Sequence, residues 1–446
     1  MTQGSAKNRN YLVVGLGATG LSCVRFLRGR GDRVLVMDSR NEPPGLEALK
    51  AEFPDLSVAT GGFDREMLAI ADVLVMSPGV PLATPEIATA IAEGKIVSSD
   101  IALFREAFQG RLAVITGSNA KSTVTSWLAD MAERAGLSYV VGGNLGEPAL
   151  NLLETPAELA ILELSSFQLE LVPALNADVA ALLNISADHM DRYPDLEAYT
   201  SAKQRIFQGC KLALYNRNDA QTGPLVVVDA MRSFGLDAPT GRNTGLVQRE
   251  AEQWLAQGDE LWMQASKVSL PGRHNLENAL ATLAMAEALG IEADAILASL
   301  QQFKGLPHRC ELVAEKSGIR FINDSKGTNV GAALAAVEGL GQDPAGRLLL
   351  LLGGQSKGGD FSPLKHAVSD CCKATFAYGE DAAKIQSALG DLVTRVGTLE
   401  EALAAAVAMA EPGDTVLLSP ACASFDQFRN FEHRGEVFRQ WVEAWS

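Results

Sequence analysis

Several protein classes are excluded by what this sequence lacks. Six cysteines (Cys23, Cys210, Cys310, Cys371, Cys372 and Cys422) include no C-x-x-C pair. They support neither a disulfide nor a zinc framework and read as reduced thiols. No apolar run approaches the ~18–20 residues of a membrane span. Positive charge is in deficit: 38 Lys and Arg stand against 54 Asp and Glu, a net charge of −16. A general nucleic-acid binder needs a basic face, and this balance argues against one. An anionic ligand must then be held by local cations and helix N-termini against the field of the whole molecule. There is no low-complexity tract or short-period repeat. The polar first ten residues lead directly into an apolar strand, so no secretory signal is expected and the expected location is cytoplasmic.

What is present is an alternation of short apolar strands with helical stretches over 446 residues. That length suits roughly two to four domains. The alternation predicts an α/β chain with mainly parallel sheets. Three units are expected, at 1–98, 99–304 and 305–446.

The most informative segment is Thr116-Gly-Ser-Asn-Ala-Lys-Ser-Thr123. It follows an apolar strand at 111–115 and precedes a helix at 124–135. A strand, a small-residue turn ending in Lys-Ser/Thr and a helix form a phosphate cradle. Backbone N–H groups face the anion, the lysine adds a full charge, and the following hydroxyl is placed for Mg²⁺. The chain is therefore expected to use ATP or GTP. The match is imperfect, since Ile115 and Ala120 stand where the strict motif has glycine. Alanine at 120 implies a backbone that need not adopt positive φ.

Further candidates lie at predicted strand ends. Glu163 ends a buried run at 159–163, where cradle-type ATPases keep an acid for Mg²⁺; the alternative is a glutamate facing solvent. His189, in the polar cluster 184–194 after another strand, can ligate a metal, orient a substrate or be structural. Lys203, in a helical stretch at 196–207, is by spacing alone a surface lysine. Near the N-terminus, Val14-Gly-Leu-Gly-Ala-Thr-Gly20 with Asp38 one strand later is a dinucleotide fingerprint in its expected context. Its physics asks for a diphosphate and ribose hydroxyls, which NAD or a nucleotide-diphosphate sugar both supply. In the third unit, small polar loops at 323–329, 352–360 and 419–424 follow three strands, and together they suggest one shared pocket.

Six segments occur in the order found in a known family. They are Gly117-Ser-Asn-Ala-Lys-Ser-Thr123, Glu163-Leu-Ser-Ser-Phe-Gln-Leu-Glu170, Asp188-His-Met-Asp-Arg-Tyr193, Leu306-Pro-His-Arg309, Asn323-Asp-Ser-Lys326 and Ser419-Pro-Ala-Cys-Ala-Ser-Phe-Asp-Gln-Phe428. Together they resemble the Mur ligase family, the ATP-dependent amide-bond formers of peptidoglycan synthesis, over nearly the whole chain. The nearest resemblance is to the branch that adds D-glutamate to UDP-N-acetylmuramoyl-L-alanine. Other Mur-type amino-acid ligases and folylpolyglutamate synthetase are near alternatives. An NAD-dependent dehydrogenase, or an ATP-driven switch without ligase chemistry, are the rivals from other classes.

The resemblance implies an N-terminal Rossmann-like domain, a central P-loop ATPase-type parallel sheet and a C-terminal Rossmann-like domain. It implies that Ala18, Thr19, Asp38, Ser39, Arg40, Gly79 and Asn144 bind the UDP substrate. Gly117, Ser118, Asn119, Ala120, Lys121, Ser122, Thr123, Asn275, Asn278, Arg309 and Asp324 would contact ATP. Lys326, Thr328, Lys357, Ser424 and Phe431 would frame D-glutamate. Ser122 and Glu163 would hold one Mg²⁺, and His189 with a carbamylated Lys203 a second; Lys121, Glu163, His189 and Lys203 are then the catalytic set. The implied partners are these small molecules only, with no nucleic acid, no membrane insertion and a monomeric chain. Ala120 departs from the family, whose members commonly have glycine there.

Overall fold

Consecutive apolar residues mark strands covered on both faces; in Leu348–Gly353 all six residues are buried. The computed structural model describes residues 9–341, 346–356 and 358–445. It gathers such strands into three sheets, each with apolar clusters on both faces.

The first sheet is parallel throughout, in the order Val58–Thr60, Arg33–Asp38, Asn10–Val14, Val73–Met76, Ile96–Ser98. The second is centred on Arg111–Thr116, which lies between Leu159–Glu163 and Val179–Leu182, both parallel to it. Tyr139–Gly143 closes one edge. On the other side Leu212–Asn216, Ala230–Phe234 and Thr244–Arg249 continue in parallel, and Glu252–Gln257 and Glu260–Gln264 add an antiparallel meander. The third sheet runs Glu311–Lys316, Ile319–Asn323, Thr415–Leu418, Leu348–Gly353, Cys372–Tyr378, Thr394–Arg395, with only the first pair antiparallel. The α/β architecture with parallel-dominated sheets is as the sequence predicts.

Two packing features position the site. The helix Arg273–Ala288 is buried at every residue from Asn278 to Ala286, because it is enclosed by the second sheet and the helix Lys121–Arg134. Trp127 of the latter stacks on Phe303 at 5.1 Å, so the helix following the cradle is anchored in the core. Parallel strands also bring their carboxyl ends to one edge. Ile115 pairs with Glu163 and Thr116 with Leu182, so the turn after one strand lies beside the ends of its neighbours.

In the third sheet, one side chain ties three strand ends together. Arg434, on the helix Phe431–Ala444, is fully buried. Its guanidinium donates to the carbonyls of Ser325 (2.7 Å), Cys422 (3.1 Å) and Gly353 (3.3 Å), and to the Ser325 hydroxyl (3.0 Å). Loops that diverge in sequence are thereby held at one place. Arg434→Ala strands several buried carbonyls and is expected to lower stability by about 3 kcal/mol, read from urea denaturation. A change below about 0.5 kcal/mol contradicts this account of the clamp.

Candidate active site

The cradle turn leaves the strand Arg111–Thr116 and enters the helix Lys121–Arg134 through Ala120, whose φ is +64°. The expectation that alanine at 120 avoids positive φ is therefore wrong. Turning the chain from strand to helix with its N–H groups facing outward requires a left-handed residue here, and alanine adopts it at a strain of about 1 kcal/mol. Around it the turn is closely supported. The Asn119 N–H donates to Asn184 Oδ1 at 2.8 Å, and the Ser118 N–H to the Asn184 carbonyl at 2.9 Å. The Ser118 hydroxyl donates to the Ser186 carbonyl at 2.9 Å.

Three cations surround the turn. Lys121 Nζ donates to the carbonyls of Gly117 (2.8 Å) and Ser118 (3.0 Å). Lys203, which local spacing assigns to the surface, is instead 1% exposed. Its Nζ donates to the same Gly117 carbonyl at 2.9 Å and lies 4.8 Å from the Tyr199 ring centre. The helix Leu196–Gln204 turns this lysine into the protein, a tertiary fact that spacing does not contain. Arg309 crosses from the third unit to donate to the Ser122 hydroxyl at 2.6 Å. Burial depresses the basicity of all three, and the Lys121 charge pushes Lys203 down further, well below the ordinary lysine range.

Facing them is Glu163, 2% exposed rather than turned to solvent. It accepts from the Ser122 hydroxyl at 2.5 Å and from Asn144 Nδ2 at 2.6 Å. His189, at φ +57°, packs edge-on to Phe167 with ring centres 4.9 Å apart. Asp188 links the units: its Oδ2 accepts from Asn329 Nδ2 at 3.1 Å, and the same amide reaches Asn119 Oδ1 at 3.2 Å. These groups line a cavity of about 720 Å³ between the second and third units. At its other end lie Asn275 and Asn278, whose side chains hydrogen-bond to each other at 3.1 Å. Asp324 accepts from the Ser419 hydroxyl at 2.7 Å, and burial pushes its carboxyl up to about 6. The Lys326 ammonium lies 3.8 Å from the Phe431 ring centre, and burial lowers it to about 8.

The residues of the N-terminal fingerprint lie apart from this cavity. A Cβ on Gly20 would stand 1.9 Å from the Gly15 carbonyl, which accounts for the last glycine of the motif. Asp38 is already engaged: Oδ2 accepts from the Leu16 N–H (2.7 Å) and Arg40 Nη2 (2.7 Å), and Oδ1 from the Arg40 N–H (2.8 Å) and Nε (2.9 Å). Burial alone would raise its pKa, but the Arg40 guanidinium and these N–H groups outweigh it and hold the carboxyl at about 2. A carboxylate so occupied is poorly placed to accept the ribose hydroxyls of NAD.

Three family descriptions match successive parts of the chain: the Mur ligase MurD-like N-terminal domain over 9–99, the Mur ligase middle domain over 115–286 and the Mur ligase glutamate ligase domain over 308–422. The chain belongs to the Mur ligase family. It is 48% identical over 441 residues to the UDP-N-acetylmuramoylalanine--D-glutamate ligase of Marinobacter nauticus, covering 98% of each chain. It is also 48% identical over 442 residues to the ligase of the same name from Pseudomonas aeruginosa, again covering 98% of each. Among solved structures its fold is similar to a MurF ligase from Thermotoga maritima in complex with ADP (TM-score 0.65, 18% identity, 99% of this chain and 96% of that one). A pseudomurein peptide ligase type C from Methanothermus fervidus is likewise similar (TM-score 0.62, 21% identity, 98% and 99%). As a Mur ligase, this chain uses a nucleotide and forms a peptide bond.

Of the residues expected in a Mur ligase site, Ser118, Asn119, Ala120, Lys121, Ser122, Thr123, Asn144, Glu163, His189, Asn275, Asn278, Arg309, Asp324, Lys326, Thr328 and Phe431 line the one cavity. Gly117 and Lys203 lie directly behind it. Ala18, Thr19, Asp38, Ser39, Arg40 and Gly79 are not part of it. Lys357 lies outside the described residues. Of the three C-terminal loops, the first lines the cavity, but Ser424 is 2% exposed and does not. The third loop instead supports the others: the Ala421 N–H donates to the Gly327 carbonyl at 2.9 Å, and Gln355 and Ala423 pair through their backbones. Asp188, Asn329 and His274 also line the cavity, although the sequence does not mark them as site residues. The first two stand inside segments already singled out; His274 carries no local signal.

Replacing Ala120 by glycine removes the left-handed strain and is expected to stabilise the ligase by about 1 kcal/mol, seen as a higher urea midpoint. A midpoint below that of the parent chain contradicts the strain assignment.

Proposed function

We propose that this chain joins D-glutamate to the L-alanine carboxyl of UDP-N-acetylmuramoyl-L-alanine, with ATP cleaved to ADP and phosphate, in the cytoplasmic assembly of peptidoglycan precursors. The observation that carries the reading is the cradle with Lys121, Arg309 and the buried Lys203 around it and Glu163 facing them, in a chain 48% identical to ligases of that name over 98% of its length. A carboxylate is a poor acyl donor because an oxide is a poor leaving group. Its attack on the γ-phosphoryl group gives an acyl phosphate and ADP. The uncharged amine of D-glutamate then attacks the acyl carbon, and phosphate leaves from the tetrahedral intermediate. Lys121 and Arg309 offset the anionic charge that converges during the first step.

The UDP moiety rests on the N-terminal helix Ala18–Arg30 and Arg40, with the acyl end directed past Gly79 toward the centre. Supporting this path, Arg192 of the central unit donates to the Pro78 carbonyl at 2.8 Å and lies over Phe167, which in turn contacts His189. Lys326, Thr328 and Phe431, with Lys357 and Ser424, receive the amino acid; a dicarboxylate calls for cationic and hydroxyl partners. The units are divided at 98/99 and 304/305, which fall between regular elements. All three substrate sites are assembled from one chain, consistent with action as a monomer.

The donor set suits Mg²⁺. Ser122 Oγ and Glu163 Oε2 are adjacent hard oxygens, and Asn144 orients the other carboxylate oxygen. A second ion would be held by His189 and Lys203. In that second site Lys203 would contribute carbamate oxygens, the hard anionic donors that Mg²⁺ prefers, in place of an ammonium that would repel the ion. The depressed basicity of Lys203 supports this, since only the uncharged amine adds to CO₂. Mg²⁺, when bound, supplies positive charge against the oxygens of the transferred phosphoryl group.

Phosphate release with UDP-N-acetylmuramoyl-L-alanine and a panel of amino acids tests the reading. Release dependent on D-glutamate is expected, with L-glutamate, L-alanine and diamino acids near background; equal release with any of them refutes the acceptor. Lys203→Arg keeps a cation but cannot carry the carbamate, and turnover is expected to fall at least about 1,000-fold. Activity within tenfold of the parent sinks the carbamate.

A further inference from the structure

The helix Val330–Leu340 of the C-terminal unit lies against the central unit along Gly331, Ala335 and Gly339, which recur every fourth residue and so share one face. At its first turn, a Cβ on Gly331 would stand 2.6 Å from the Ser186 hydroxyl. Asn329 caps the helix by accepting the Ala332 N–H at 2.8 Å, and its amide reaches across to Asn119 and Asp188.

Near the far end, the contact is made by His274, in the first turn of the central helix Arg273–Ala288. Its ring lies between two glycines, one from each unit. A Cβ on Gly339 would stand 2.4 Å from His274 Nδ1, and one on Gly272 would stand 2.9 Å from Cε1 and 3.4 Å from the Gly339 carbonyl. The Ala335 carbonyl faces the same ring. Nδ1 is fully buried without a hydrogen-bond partner. Burial keeps the imidazole neutral, its pKa lowered to about 4. Nδ1 makes no hydrogen bond and the ring's hydrogen bonding is to the Ala335 backbone, so the rest of its fit in this seat is shape. The ring also lines the same cavity as Asn275, Asn278 and Arg309.

We propose that His274 is a positioning residue that sets the seat of the C-terminal unit on the central unit. Its ring keys between Gly272 and Gly339 and fixes the register of the helix Val330–Leu340. That register brings Arg309, Asp324 and Lys326 up to the phosphate cradle. His274 touches none of the reacting atoms; it acts through the place it gives to these residues. Binding of ATP, rather than ligation, reports on the device, so the outcome does not depend on which amino acid is the acceptor.

The test is a second-site rescue. Gly339→Ala adds a methyl group where the ring stands, yet within a helix alanine is the better former, so the helix itself is not weakened. Titration of the full-length protein with ATP in Mg²⁺ buffer is expected to give a Kd raised about tenfold or more for Gly339→Ala. In His274→Ala/Gly339→Ala the methyl group occupies space that the ring has left, and the Kd is expected to return to within about threefold of His274→Ala alone. A folding lesion confined to the helix would persist in the double variant. Unchanged affinity in Gly339→Ala, or a double variant no better than Gly339→Ala, overturns the proposal.

Discussion

The site is governed by an imbalance of buried charge. Lys121, Lys203 and Arg309 are drawn together around one turn, with Glu163 the acid hydrogen-bonded at its edge. Desolvation lowers the basicity of all three, and repulsion adds to it at Lys121, from Arg309, and at Lys203, from Lys121. Such a cluster calls for anionic partners, and the polyphosphate of a nucleotide supplies them. The Gly117 carbonyl, which accepts from both lysines, is the point at which they meet. A chain with net charge −16 thus attracts an anion through a local arrangement that opposes its global field.

Much of the remaining architecture serves to hold that arrangement. Parallel strands deliver the turn, Glu163 and the segment at 184–189 to one edge. A core packed around Trp127 and the helix Arg273–Ala288 makes the edge rigid. The C-terminal unit supplies Arg309 from across the cavity, while Arg434 keeps the loops of that unit in register with one another. The strain at Ala120 is tolerated because Asn184 and Ser186 determine the turn from the neighbouring strand end.

The N-terminal fingerprint illustrates how one motif can serve different ligands. Its glycines encode only the close approach of helix and strand, as at Gly20. The acid at the end of the next strand is normally read as a ribose acceptor, but Asp38 here is consumed by Arg40 and backbone N–H groups. What the site then offers is a helix N-terminus and a half-exposed guanidinium, which suits the diphosphate of a nucleotide sugar.

The order of strands and helices, the three-unit layout and the phosphate turn were legible in the sequence because they depend on local periodicity and on residues adjacent along the chain. Glu163 and the loop at 323–329 were legible for the same reason: each ends an apolar run. Other features belong to the tertiary structure alone. Lys203 looks solvent-facing by helical spacing, and only the packing of its helix against the cradle buries it. Ala120 adopts a conformation that its side chain disfavours, since neighbouring strands dictate the turn. His274 gains its role from two glycines, one 65 residues away along the chain, and Arg434 from carbonyls of three separate loops. Burial and contact between distant segments are decided by the whole fold, and no window of sequence contains them.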